Sequence, residues 1–222
     1  MCVFKVKRGS QGEVTRRKTR AVVRGDLQRK SEEHNTWAPA ASMRLVKYFI
    51  AQAAKHGMRV RQIDFIAAYL QAKVRARIYV KLPSSIKHLF SEEKQRQYFD
   101  KPLKLKKGLY GLTTSGRFWY EELQEWLIET GFKQSIADPG LFIWRRKDKF
   151  IALINYVDDM AYTSNDETFV DEFEKIIKER FNVTIKGDID WYLSMRIKRH
   201  DKDYVIDQHR HTLTLLERYL SG

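Results

Sequence analysis

The sequence predicts an α+β fold in which helices alternate with antiparallel hairpins. Three observations predict it. Apolar residues recur at helical spacing in four blocks, and short β-branched or alternating runs lie between them. Several of those runs are joined by turns too short for a crossover helix, which favours antiparallel pairing. The 222 residues are 43% hydrophobic and 32% charged, a balance that supports a buried core and is unlike disordered or fibrous chains.

Val3 to Val23 alternates β-branched and basic residues around Gly12 and reads as a hairpin. A polar stretch, Asp26 to Thr36, leads to Trp37-Ala38-Pro39. Ser42 is placed to cap a helix running to about His56, with Leu45, Val46, Phe49, Ile50 and Ala53 on one face and Gly57 as its stop. A strand at 59–65 ends on Asp64-Phe65, and Ile78-Tyr79-Val80 is a second short strand. Residues 84–101 are polar and read as a surface excursion. The next helix covers 116–130, with Phe118, Trp119, Leu123, Trp126 and Leu127 at helical spacing and Gly131 behind it. Leu141–Trp144, a charged turn at 145–149 and Phe150–Val157 form a hairpin, and Met160–Thr163 is a return strand. Asp166–Arg180 is a helix with acidic residues early and basic ones late, as its dipole favours. Strands at 182–186, 192–198 and 204–206 precede a last helix from about Thr212.

No apolar run is long enough to span a bilayer, so no membrane association is expected. The amino terminus lacks an apolar core followed by a cleavage site, so no secretory signal is expected. The lone Cys2 excludes an internal disulfide framework and a thiolate metal cluster, and suits a reducing, intracellular setting. The net charge is +14 and it is uneven: the first 120 residues hold twenty-seven Lys and Arg against eight Asp and Glu. Such polarity suits a polyanionic partner, held by phosphate neutralisation and counterion release. A basic, solvated surface without a partner is the alternative reading.

The sharpest local signal is Ile151 to Tyr162, where an apolar strand delivers Asp158-Asp159 and a second apolar strand departs. Aspartates also collect in turns for purely conformational reasons. A second element weighs against that reading: Gln62 to Leu70, where Asp64 closes another apolar strand. Carboxylates gathered at one place repel unless a cation lies among them, and hard oxygen ligands suit Mg²⁺ or Mn²⁺. Two such ions suit in-line phosphoryl transfer, which needs positioning and charge neutralisation rather than a covalent nucleophile.

These segments, with five others, resemble the reverse transcriptase domain of copia-type (Pseudoviridae) retrotransposons. Residues 17–25 are similar to the family's fingers hairpin, and Thr36-Trp37-Ala38-Pro39 with Met43-Arg44 to its "TFAPV…R" segment. Gln62–Leu70 is similar to "QMDVKTAFL", Leu109–Tyr120 to "LYGLKQSPRAWY", and Tyr156–Asp159 to the "YVDD" box. Tyr192–Ile197 is similar to "YFLGIEI", and 208–216 to the closing "Q…Y…LL". The resemblance runs from Val3 to about Leu220, with its landmarks in the family's order.

The resemblance implies a right-hand polymerase fold of fingers and palm, with an antiparallel palm sheet and helices packed on one face. Fingers would cover about 1–57 and 72–115, palm about 58–71 and 116–200, and the start of the thumb or connection about 201–222. It implies RNA-directed DNA synthesis with two Mg²⁺ or Mn²⁺ ions. Asp64, Asp158 and Asp159 would be the catalytic metal ligands, and Phe65 would add a backbone carbonyl. Lys18, Arg20, Tyr69, Tyr110 and Gly111 would bind the incoming nucleotide, Tyr69 beneath its sugar. Solvated hairpin charge (Lys18, Arg20) and core packing (Tyr69) are the competing structural readings. Tyr156, Leu193, Ser194 and Met195 would meet primer or template.

Partners implied are an RNA or DNA template, a DNA or tRNA primer, dNTPs, and the integrase and ribonuclease H regions of a parent polyprotein. The expected location is intracellular, either cytoplasmic in a virus-like particle or nuclear. Some residues depart from the family pattern. Thr113 and Thr114 replace Lys-Gln, Gly116 replaces Pro, Ser194 replaces Gly and His211 replaces Tyr, while Arg75-Ala76-Arg77 occupies a usually acidic stretch. A nucleic-acid-binding remnant with weak or no catalysis is therefore the alternative reading.

Overall fold

The computed structural model describes residues 1–8, 13–28, 36–99 and 101–220. The expected turn at Gly12 lies outside them, as does most of the polar stretch before Thr36. In chain order the elements begin with β1 (Cys2–Arg8), β2 (Val14–Ala21), α1 (Met43–Lys55), β3 (Val60–Phe65) and α2 (Ala68–Gln71). β4 (Tyr79–Val80), α3 (Glu92–Tyr98), β5 (Leu103–Lys104) and α4 (Ser115–Thr130) follow. Next come β6 (Lys133–Gln134), β7 (Leu141–Arg146), β8 (Lys149–Tyr156), β9 (Asp159–Ser164) and α5 (Glu167–Arg180). The chain closes with β10 (Val183–Asp188), β11 (Trp191–Tyr192), β12 (Met195–His200), β13 (Asp203–Asp207) and α6 (His209–Leu220). The mixed helix and sheet content matches the expected class.

Two compact units result: Met1–Ala38 with Ala67–Leu123, and Pro39–Ile66 with Gln124–Gly222. The helix α1 belongs to the second of these units.

In the first unit β1 and β2 pair antiparallel, with Lys5 opposite Lys18 and Val3 opposite Arg20. Val22 then bridges to Tyr110, and the Val23 amide donates to the Tyr110 carbonyl at 2.8 Å. Residues 84–101, expected as irregular surface, contain a 3₁₀ turn at Ser84–Leu89 and the helix α3. Neither buries a residue, so their sequence lacks the apolar period that would have announced them.

In the second unit six antiparallel strands form one sheet in the order β10-β3-β9-β8-β7-β6. One face carries Ile63, Phe65, Tyr162, Ile151 and Leu153 beneath α5 and the end of α4. Phe173 of α5 packs on Trp126, Phe132 and Tyr162, with ring centroids at 6.5, 5.6 and 5.5 Å. Helices were expected on one face only, and the structure corrects this. The apolar stripe of α1 (Val46, Phe49, Ile50, Ala53) shares a core with Val60, Ile154 and Ala161, which alternation places on the other face. Tyr192, Met195 and Ile197 close that second core. α4 and α5 already cover the first face, so the α1 stripe finds its partners on the second.

The strand expected at 192–198 is in fact a hairpin. Leu193 (φ 50) and Ser194 (φ 67) turn the chain between β11 and β12. Likewise the charged turn of the preceding hairpin tightens to Lys147-Asp148, with Lys147 at φ 53. Among the described residues no helix is long and apolar enough to cross a membrane.

Candidate active site

Register brings the acidic residues together in the second unit. Antiparallel pairing of β3 with β9 sets Asp64 opposite Asp159. β8 and β9 are joined by a two-residue loop, Val157-Asp158, because Tyr156 pairs with Asp159. Val157 sits at φ 58, a left-handed conformation costly for a β-branched residue and of the kind that gathers at functional sites. Positive φ at the first loop position is what glycine normally supplies in a two-residue hairpin. The Asp158 carbonyl accepts the Phe65 amide at 3.0 Å, tying the hairpin tip to the end of β3.

Alternation puts Gln62 and Asp64 on the same face as Asp159. That face is covered by α1 at its Val60 end and open at its Asp64 end, where the Asp64 and Asp159 side chains are 41% and 31% exposed. Two residues not anticipated from the sequence complete the site. Buried Gln62 donates from Nε2 to Asp159 Oδ1 at 3.0 Å. Lys186 on β10 places Nζ 3.3 Å from Asp64 Oδ1 and 3.9 Å from Asp159 Oδ1. Lys186 reaches there from an irregular stretch of β10, where the pairing with β3 shifts register between Ile185 and Gly187.

The electrostatics follow from this crowding. Burial holds Asp159 above the usual carboxylate range; Gln62 and Lys186 pull it back, while the Asp158 and Asp64 carboxylates push it further up. Beneath it, the fully buried Tyr192 hydroxyl lies 3.4 Å from the Asp159 carbonyl and is raised by burial and by the Asp159 charge. Among the described residues no three Asp, Glu, His or Cys side chains already form a metal-holding group. The donor set nevertheless suits a hard cation: carboxylate oxygens face one another and a positive charge stands between them.

The other expected residues separate. Tyr156 is 40% exposed and pairs across from Asp159. Ser194 is exposed at its turn, and its positive φ explains why a glycine suits the position. The Met195 side chain, however, is 2% exposed and belongs to the α1 core, and Leu193 packs against that core. With its side chain enclosed, what Met195 presents outward is backbone.

The residues expected to bind nucleotide all fall in the first unit, where most of them converge. The Arg20 guanidinium lies 5.2 Å from the Tyr110 ring centroid, and the Tyr110 and Tyr69 rings are 5.4 Å apart. Gly111 adopts φ 82, and a Cβ there would lie 2.2 Å from the Val23 carbonyl oxygen. Only glycine fits that approach. Lys18 lies two residues before Arg20 on β2, so it shares its strand face.

The structure thus sets two carboxylates face to face on adjacent strands of a basic chain, one of them beside a strained hairpin loop. The chain belongs to the reverse transcriptase (RNA-dependent DNA polymerase) family, whose model matches residues 1–220. It is 30% identical over 217 residues to the retrovirus-related Pol polyprotein from transposon RE2 of Arabidopsis thaliana, covering 97% of this chain and 14% of that protein. Its similarity to the corresponding RE1 polyprotein of the same plant has the same identity and coverage. The polyprotein from transposon TNT 1-94 of Nicotiana tabacum is 26% identical over 226 residues, covering 98% of this chain and 16% of that protein. The chain thus spans about a seventh of these relatives, and the copia-type resemblance is borne out. Reverse transcriptases of this family work with divalent metal ions.

Proposed function

We propose that this chain is the fingers and palm of a copia-type reverse transcriptase, extending a primer 3′-hydroxyl with dNTPs on an RNA or DNA template. The observation that carries the reading is the register of Asp64 against Asp159, with Asp158 at the adjoining hairpin tip. Asp64, Asp158 and Asp159, with the Phe65 carbonyl, would hold two Mg²⁺ or Mn²⁺ ions. Bound there, such ions supply charge neutralisation and activation of the attacking and leaving oxygens. The chain's own residues do the positioning. Gln62 fixes the Asp159 carboxylate through its hydrogen bond, and the Phe65–Asp158 backbone bond holds the loop against β3. In the first unit, Arg20 and Lys18 provide cations for a triphosphate. Tyr110 steadies Arg20 through its ring and packs against the Tyr69 ring, and Gly111 lets the backbone pass close. Tyr156, exposed Ser194 and the backbone of Leu193 and Met195 serve primer and template.

A DNA or tRNA primer, integrase and ribonuclease H regions of a parent polyprotein, and a cytoplasmic particle or nuclear location complete the proposal. A primer-extension assay on RNA and DNA templates with Mg²⁺ or Mn²⁺ tests it. Extension should be lost in Asp158→Asn, and unchanged extension by that variant would refute the role of Asp158. A second reading has one specific observation in its favour. Lys186 stands where a cation is required, as in a remnant that binds nucleic acid without turnover. Salt-sensitive binding with no incorporation at any metal concentration would identify that remnant.

A further inference from the structure

Lys186 has no place in the proposed reaction, yet it makes the closest cationic contacts at the carboxylates. Its Nζ bridges Asp64 Oδ1 and Asp159 Oδ1 from the irregular stretch of β10, with its side chain 41% exposed. A bare pair of facing carboxylates repels, and a lysine ammonium is a compact point charge on a flexible stem that relieves the repulsion. Those same two oxygens are among the donors that a divalent ion needs. An ammonium within 4 Å of both both repels a dication and occupies lone pairs, so the two cations exclude each other.

We propose that Lys186 is a built-in counter-cation that competes with divalent metal at Asp64 and Asp159. It keeps the site paired without metal and sets the metal concentration at which the site loads. The inference rests on the reading of Asp64, Asp158 and Asp159 as metal ligands. It adds that one lysine must leave before metal enters. Its long stem and partial exposure give it somewhere to go, toward water, without disturbing the β3–β10 ladder.

The test is a Mn²⁺ titration of the full chain, following free Mn²⁺ by electron paramagnetic resonance, with far-UV circular dichroism as the check on folding. Lys186→Met should bind Mn²⁺ about threefold to tenfold more tightly than wild type, the range expected for removing partly exposed ion pairs. Lys186→Arg, which keeps the charge, should bind within about twofold of wild type. Asp64→Asn and Asp159→Asn should each weaken binding severely. Equal affinity in wild type and Lys186→Met, with binding still lost in the aspartate variants, overturns the competition and leaves the metal reading standing. Binding unaffected by the aspartate variants overturns both. Should Lys186→Met not fold, the wild-type chain answers the question alone. Saturating Mn²⁺ should increase acetylation of Lys186 by an amine-reactive ester, read by mass spectrometry, and an unchanged or lower extent overturns the proposal.

Discussion

Glu174 and Glu172 lie two residues apart on α5, and removing each should have very different consequences. Glu174 Oε1 accepts from the fully buried Tyr162 hydroxyl at 2.6 Å and from Arg61 Nη1 at 3.2 Å. The Arg61 and Glu174 side chains are only 14% and 16% exposed. Glu174→Ala strands the Tyr162 hydroxyl and leaves Arg61 with Glu167 alone. A hydrogen bond to a charged acceptor contributes about 1.5–3 kcal/mol, and breaking a buried ion pair costs about 3–5 kcal/mol. Because Arg61 keeps one carboxylate, the expected loss is about 2–4 kcal/mol. Glu172 meets Arg146 at 2.8 Å with both side chains about half exposed, so Glu172→Ala should cost under about 1 kcal/mol. Both residues belong to the second unit, so one unfolding transition reports on both. Urea unfolding at pH 7, repeated at 1 M NaCl, is the assay. The small Glu172 effect should fade in salt while the Glu174 effect persists. Losses within about 0.5 kcal/mol of each other at low salt would refute the burial argument.

Two further outcomes concern stability. A Cβ at Gly140 would lie 2.4 Å from the Ala41 nitrogen, where Gly140 and Ala41 both bond to the Asn155 backbone. Gly140→Ala should therefore cost about 2–4 kcal/mol in urea unfolding. Gly187→Ala, at φ 73 with open space around it, should cost about 1 kcal/mol; equal losses would contradict the clash. Asp166 caps α5, and hydrogen bonds from Lys149, Thr168 and the Phe169 amide hold its carboxyl down at about 2. A depressed carboxylate contributes stability that is present above its ordinary value and lost as pH falls through the folded one. The advantage of wild type over Asp166→Asn should thus be full above about pH 4 and shrink toward pH 2. A gap unchanged across that window would show that the charge does not matter there.

The elements with strong periodicity were legible in the sequence. The α1 stripe, the aromatic face of α4, the Asp166 cap and the strands bearing Asp64 and the Asp-Asp pair all stand within a residue or two of where pattern places them. Short amphiphile-free pieces were not: α3 and the 3₁₀ turn before it bury no side chain and so carry no apolar period. The hairpin at Leu193-Ser194 read as one strand because its turn uses neither glycine nor asparagine. That the Met195 side chain closes the α1 core was likewise not legible, because its partners on α1 lie far away in the sequence.

By itself the sequence determined the class of chain, its polarised charge, and the three aspartates from which the proposed site is built. Local pattern can do this because a strand end, a two-residue turn and an acidic pair are encoded by adjacent residues. Only the tertiary structure decided what those aspartates touch. Gln62 meets Asp159 across 97 residues and Lys186 meets Asp64 across 122. Such neighbours are set by strand register and by one irregular stretch of β10, neither of which leaves a mark within a short window of sequence.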